Sequence, residues 1–232
     1  DCFKPLVTAS KEMGIKHFIY ASSSSVYGVK NIPDVTEEAT LEPLTDYSKF
    51  KARCEEILLS KTDSNFIGSV VRPATVCGYS PRQRLDLVVN ILTNFAYHKK
   101  KIKIFGGSQL RPNIHISDMV DSYLCLLKSE TKKVSNEVFN VGFENHSVET
   151  LAKMVKNNIK EKVAIEYSKS DDNRSYHVNS SKISKKLGFI PKKNINEAIK
   201  DLINAFTKKS LINTFDNEEY FNIKKMQKIN LV

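Results

Sequence analysis

These 232 residues read as an α/β protein built on a doubly wound parallel sheet. Three observations lead there. The chain opens with a helix, a tight turn and a short apolar strand; helical and strand-like segments then alternate along it; and no internal repeat or low-complexity tract interrupts them.

Residues 3–14 carry helical spacing through Phe3, Leu6, Val7, Ser10 and Met13, and Gly14 supplies a C-terminal cap. Residues 16–21 follow as a buried strand that ends in a run of serines. Residues 29–45, with Pro33, Pro43 and several acids, are expected as a loop. A helix is predicted over 46–59, with Ile57, Leu58 and Leu59 on its buried side. Residues 65–72 are the next strand, ended by Pro73, with a loop over 75–78. Further on the pattern predicts a helix over 85–96, a strand over 101–105 stopped by Gly106 and Gly107, and an amphipathic helix over 117–127. A strand over 138–141 closes at Gly142. Ser147 is suited to cap a helix running through Ile159, with Glu149 in its first turn, and 195–206 is the last clear helix.

Composition narrows the function classes. Hydrophobic residues make up 41% of the chain, and no apolar run reaches the roughly 18 residues of a spanning helix. Cys2, Cys54, Cys77 and Cys125 form no C-x-x-C pair, which argues against a zinc site or a disulfide scaffold and for a reducing cytoplasm. The formal charge of +10 would suit a nucleic-acid partner, but the lysines are scattered pairs without interleaved aromatics. A solvated lysine-rich surface is expected, and it also suits a substrate carrying a pyrophosphate. His115, flanked by Ile114 and Ile116, reads as structural, since no other histidine stands at metal-ligand spacing.

The chemistry is concentrated early in the chain. Ser23 follows the first strand, and Tyr47 and Lys51 lie four residues apart, so on a helix they share one face. A phenol is a poor base at neutral pH, but a neighbouring ammonium stabilises the phenolate. Tyr47 can then take a hydroxyl proton while hydride leaves the same carbon for an oxidised nicotinamide. Ser23 would hydrogen-bond the same substrate oxygen, and Lys51 is long enough to reach the nicotinamide ribose as well.

With Ser22 to Gly28, Tyr47 and Lys51 in place, the sequence resembles the extended short-chain dehydrogenase/reductases, specifically the nucleotide-sugar epimerases and dehydratases, over nearly its whole length. Residues 71–78 (Val-Arg-Pro-Ala-Thr-Val-Cys-Gly) resemble the segment leading into that family's substrate lobe, which implies that backbone after Pro73 borders the nicotinamide. Thr75 stands where the family often has Asn. Residues 106–118 are similar to the segment whose arginine grips the pyrophosphate, which implies that role for Arg111. Residues 172–176 and 181–191 resemble a second phosphate arginine, here Arg174, and a closing motif. Two guanidinium groups from separate loops would make a bidentate clamp on phosphate oxygens.

The resemblance implies a C-terminal part of a Rossmann-like parallel sheet over 1–74 and 112–141, with a smaller mixed α/β substrate lobe over 75–111 and 142–232. It also implies NAD or NADP as cofactor, a nucleotide-diphosphate sugar as substrate, and a homodimer through the Tyr47 helix, with no nucleic-acid or membrane partner. Dehydratases of the family carry Asp-Glu where Ser24 and Ser25 stand, and decarboxylating members a Glu at the Ser25 position. The serines favour a 4-epimerase, with Ser24 at the substrate; an NADPH-linked keto-sugar reductase and a non-catalytic nucleotide-sugar- or RNA-binding protein are the alternatives. None of the 8 glycines forms the G-x-G-x-x-G loop of a dinucleotide site, and the chain starts at Asp1 within helical sequence, so a fragment that binds NAD weakly is expected, with a sheet edge and helix faces left uncovered.

Overall fold

The computed structural model describes residues 2–30, 34–169 and 177–230. Its central sheet is parallel, in the order β1 (His17–Ala21), β2 (Ile67–Pro73), β6 (Glu137–Val141). Register runs from His17 opposite Ile67 and from Ser69 opposite Glu137. Helices cover both faces, as parallel sheets require. On one face, Val7 of α1 (Phe3–Glu12) and Leu58 of α2 (Asp46–Leu59) pack with Phe18, Phe66 and Val70. On the other, Met119 and Leu126 of α4 (Ile116–Lys128) and Ile183 of α7 (Ser181–Leu187) pack with Ile19, Val71 and Phe139. Neighbouring strand residues thus point to opposite faces, as the pleat dictates.

β1 has one paired neighbour among the described residues, and its side chains are half-buried rather than buried. The sequence expectation of a buried strand is corrected accordingly. Leu6 on α1 is 54% exposed, and Met13, at its C-terminal cap, 82%.

A second sheet orders β3 (Thr75–Cys77), β5 (Leu110–His115) and β7 (Glu144–Ser147), the last antiparallel. A parallel pair joins β4 (Lys101–Phe105) to β8 (Ala164–Ser168). Around them α3 (Val88–Lys99), α6 (Val148–Asn158) and α8 (Ile195–Thr207) bury Val89, Leu92, Leu151, Val155 and Ile199 in one cluster. The short α5 (Thr131–Val134) and α9 (Asn222–Lys228) complete the set. Several boundaries differ from expectation, most of them by one or two residues. Residues 75–77 form a strand, because Thr75 pairs with Asn113 of a segment far along the chain, and α3 starts at Val88 rather than 85.

Local chemistry explains the helix ends. Ser147 accepts from the Thr150 amide at the start of α6, as its sequence position suggested. Thr45 and Ser48 form a reciprocal capping box on α2, satisfying backbone donors that would otherwise lack partners. The buried positions of α2 are Ser48, Ala52, Glu55 and Leu58, whereas Ile57 and Leu59 are only half-buried. The buried side is therefore mixed: Leu58 joins the apolar core as expected, while Ala52 and Glu55 face the chain that follows β1.

Candidate active site

The site is assembled from the carboxyl ends of β1 and β2. Beyond Ala21 the chain extends through Ser22 and Ser23 and then coils into a 3-10 turn, Ser24–Tyr27. Ser23 caps that turn: its Oγ accepts the Ser25 amide at 3.1 Å and the Ser25 hydroxyl at 2.9 Å. Ser24 is buried, 2% exposed. Gly28 ends the turn at φ 72°, where an added Cβ would lie 2.1 Å from the Glu42 carbonyl oxygen.

Tyr47 occupies the first turn of α2 with its side chain 58% exposed. One turn on, Lys51 reaches back under it. The ammonium donates to the Ala21 carbonyl at 2.6 Å and lies 5.6 Å from the centre of the Tyr47 ring and 4.9 Å from that of Tyr20. Burial pulls the Lys51 pKa below the usual lysine range, with partial opposition from Cys54 and Glu55. Tyr20 is pushed the other way, by burial and by its contact with Cys54, so its phenol stays protonated.

Pro73 is the last residue of β2, and Thr75, half-buried, opens β3 two residues later. Arg111 lies on β5, two residues before the Asn113 that pairs with Thr75. Its guanidinium donates to the Leu110 carbonyl at 3.0 Å, and its own carbonyl accepts from Asn113. The structure thus brings Ser23, Tyr47, Lys51, Pro73 and Thr75 to one edge of the sheets, with Arg111 on the adjoining strand. Arg174 lies outside the described residues. His115 is buried, with Nδ1 accepting the Ser117 amide at the start of α4 and Nε2 3.1 Å from Asp201.

Beneath these groups lies a buried polar network that the sequence reading did not single out. Glu55, 3% exposed and one turn beyond Lys51, accepts from the Ser22 hydroxyl and from Arg72 Nη2 at 2.7 Å. Arg72 Nη1 donates to the Tyr27 hydroxyl at 2.8 Å, which donates to Asn140 Oδ1 at 2.7 Å. The Asn140 amide group in turn donates to the Val35 and Asn179 carbonyls. Burial opposes the charge on Arg72, but its bonds to Glu55 and Tyr27 outweigh that and hold its pKa up. The available sequence signals were the glutamate at the i+4 position after Lys51 and the arginine inside an otherwise apolar strand.

The parallel sheet wrapped by helices on both faces, with serine, tyrosine and lysine at its carboxyl edge, defines a Rossmann-type α/β protein. A family model, NAD dependent epimerase/dehydratase family, matches residues 3–142, more than half of the chain. The chain belongs to that family. It is 30% identical over 209 residues to a UDP-glucuronate 4-epimerase of Thermodesulfobacterium geofontis, covering 86% of this chain and 62% of the relative. It is 30% identical over 216 residues to a dTDP-D-glucose 4,6-dehydratase of Mus musculus, covering 88% and 59%. The chain therefore spans about three fifths of the length of these two curated relatives. Among solved structures, MoeE5 in complex with UDP-glucuronic acid and NAD superimposes with a TM-score of 0.79 at 26% identity, over 90% of this chain and 70% of that one.

Proposed function

We propose that the protein is an NAD-dependent nucleotide-sugar 4-epimerase working through a transient 4-keto sugar. The observation that carries this reading is the placement of Lys51, clamped between the Ala21 carbonyl and the Tyr47 ring at the exposed carboxyl edge of β1. Tyr47 removes the proton from the C4 hydroxyl, with the Lys51 ammonium stabilising the phenolate. Ser23 donates to the same oxygen and holds it in place. When bound, the nicotinamide supplies hydride acceptance and return. The sugar turns in the site between the two transfers, so Tyr47 returns the proton to an oxygen of opposite configuration.

The residues present fit the nicotinamide-ribose end of such a cofactor, through Tyr47, Lys51 and the backbone after Pro73. A glycine loop for its diphosphate is not among the 8 glycines of this sequence. The solved relative MoeE5 holds NAD and UDP-glucuronic acid, and the two curated relatives are named for UDP- and dTDP-sugars. That supports a nucleotide-diphosphate sugar here, with Arg111 and Arg174 taking the diphosphate and Thr75 and Ser24 bordering the substrate. The partition into a Rossmann-like part and a substrate lobe belongs to the same reading. So does a cytoplasmic homodimer through α2, on which Phe50 is 62% exposed.

Epimerisation is favoured over dehydration by the serine run. Elimination of water needs an acid and a base, and the Ser24 and Ser25 hydroxyls provide neither at neutral pH. The test is to incubate the protein with NAD and a panel of UDP-sugars and resolve the C4 epimers by NMR. Interconversion with NAD recycled is expected. Absence of interconversion overturns the reading, and net NADPH consumption on keto-sugars replaces it with a reductase.

A further inference from the structure

We infer that Glu55 is a positioning residue that locks the serine turn to the Tyr47–Lys51 helix through a single buried carboxylate. This rests on the proposed roles of Ser23, Tyr47 and Lys51. Residues 22–27 and α2 are joined in sequence only by a loop of some length, which leaves their relative placement to tertiary contacts. Ala52 of α2 packs against Val26 and Tyr27, and two directional contacts add to that packing. Lys51 Nζ donates to the Ala21 carbonyl, and one turn further along the same face Glu55 Oε1 accepts from the Ser22 hydroxyl. The residue after Ser22 is the candidate catalytic Ser23, so a shift of Ser22 is passed directly into the site.

The carboxylate is itself held from below. Arg72 Nε lies 3.1 Å and 3.2 Å from its two oxygens and Nη2 lies 2.7 Å from Oε2, a forked pairing that fixes the plane of the group. The other arm of Arg72 binds the Tyr27 hydroxyl at 2.8 Å, at the far end of the serine turn. Glu55 therefore touches the beginning of that turn directly and its end through Arg72. Glu55 and Arg72 are 3% and 5% exposed, out of reach of a substrate at the sheet edge, so they act through the groups they hold. A buried ion pair is a weak source of net stability compared with well-packed apolar groups, but its directional bonds specify a geometry. Placement of reacting groups is a large part of catalysis.

Removing Glu55 outright would strand a buried guanidinium, so the decisive variant is Ser22→Ala, which cuts the tether and leaves the Arg72 pair intact. In the full chain, amide exchange over residues 22–28 and over 46–52 should speed up together, about tenfold, for the loss of one buried charge-assisted hydrogen bond. The denaturation midpoint should move little, and Ser22→Thr, which keeps the hydroxyl, should restore protection in both segments. In turnover with NAD and UDP-glucose, kcat should fall about tenfold with KM unchanged. Faster exchange confined to 22–28, unchanged exchange in both segments, or uniform loosening of the whole chain overturns the inference. A parent protein without turnover would defeat the proposed function, while the exchange measurement would still decide the role of Glu55.

Discussion

Tyr47 is the proposed base, and its exposure separates function from folding. Tyr47→Phe removes one hydroxyl from a side chain that is 58% exposed, so stability should change by no more than about 0.5 kcal/mol. Turnover of a UDP-sugar should fall by at least about 100-fold, because proton transfer loses its base. Full retention of activity would remove Tyr47 from the mechanism. Cys77 offers a contrast, since it is 1% exposed and burial pushes its thiol up to about 12 from an ordinary 9.0. The folded state holds that proton longer than the unfolded chain does. Its contribution is complete below pH 9.0 and should erode by about 1.4 kcal/mol per pH unit between there and about 12. Denaturant midpoints of the parent and Cys77→Ala, measured across this range, should diverge in slope, with the parent falling faster. Equal slopes would show that the buried thiol does not hold its proton.

Helices, strands and turns carry their own tests. Thr45→Ala breaks the capping box that starts α2 and should cost about 1 kcal/mol in chemical denaturation. Gly28→Ala is more severe, because the backbone is left-handed at φ 72° and the new methyl would overlap the Glu42 carbonyl. About 2–3 kcal/mol is expected from the unfolding midpoint, and a neutral result would mean the turn after Tyr27 can relax. These elements also show what the sequence made legible. The bounds of α2 were legible, whereas its buried side, through Ser48, Ala52 and Glu55, was not. Nor were β3 and β7. Thr75–Cys77 is three residues long, and Glu144–Ser147 contains no apolar residue, so each is a strand only because β5 lies beside it. β8 shows little burial and pairs with β4 from a distant part of the chain. In the same way Ser23, Tyr47 and Lys51 could be read from spacing, whereas Glu55, Arg72, Tyr27 and Asn140 become a network only when four separate segments meet.

For the molecule as a whole, the central question is how it engages a dinucleotide. The proposed site gathers Ser23, Tyr47 and Lys51 at the carboxyl edge of β1, but the sequence has no glycine loop to receive a diphosphate at a helix N-terminus. Calorimetry on this chain with NAD should therefore find binding weaker than micromolar. A micromolar dissociation constant would point to a diphosphate site of another kind. Among the described residues β1 pairs on one side only, and Leu6 and Met13 are exposed beside it.

Another consequence follows from the short bridge between Val35 and Val178, reinforced where Asn179 Nδ2 donates to Asp34 across a separation of 145 residues. Closing so large a loop carries an entropic cost that a single bridge repays poorly, so it is favoured once the chain between has folded. The Val35–Val178 bridge should therefore form late in refolding, after the helices and the central sheet. In pulse-labelled refolding, the Val35 amide, which bonds to the His177 carbonyl, should be among the last to gain protection. Early protection there would place this long-range closure ahead of the sheet. A chain stalled short of residue 178 would hold Ser23, Tyr47 and Lys51 in sequence, yet lack the Val178 side chain that packs with Val26, Tyr27 and Val35 behind the serine turn.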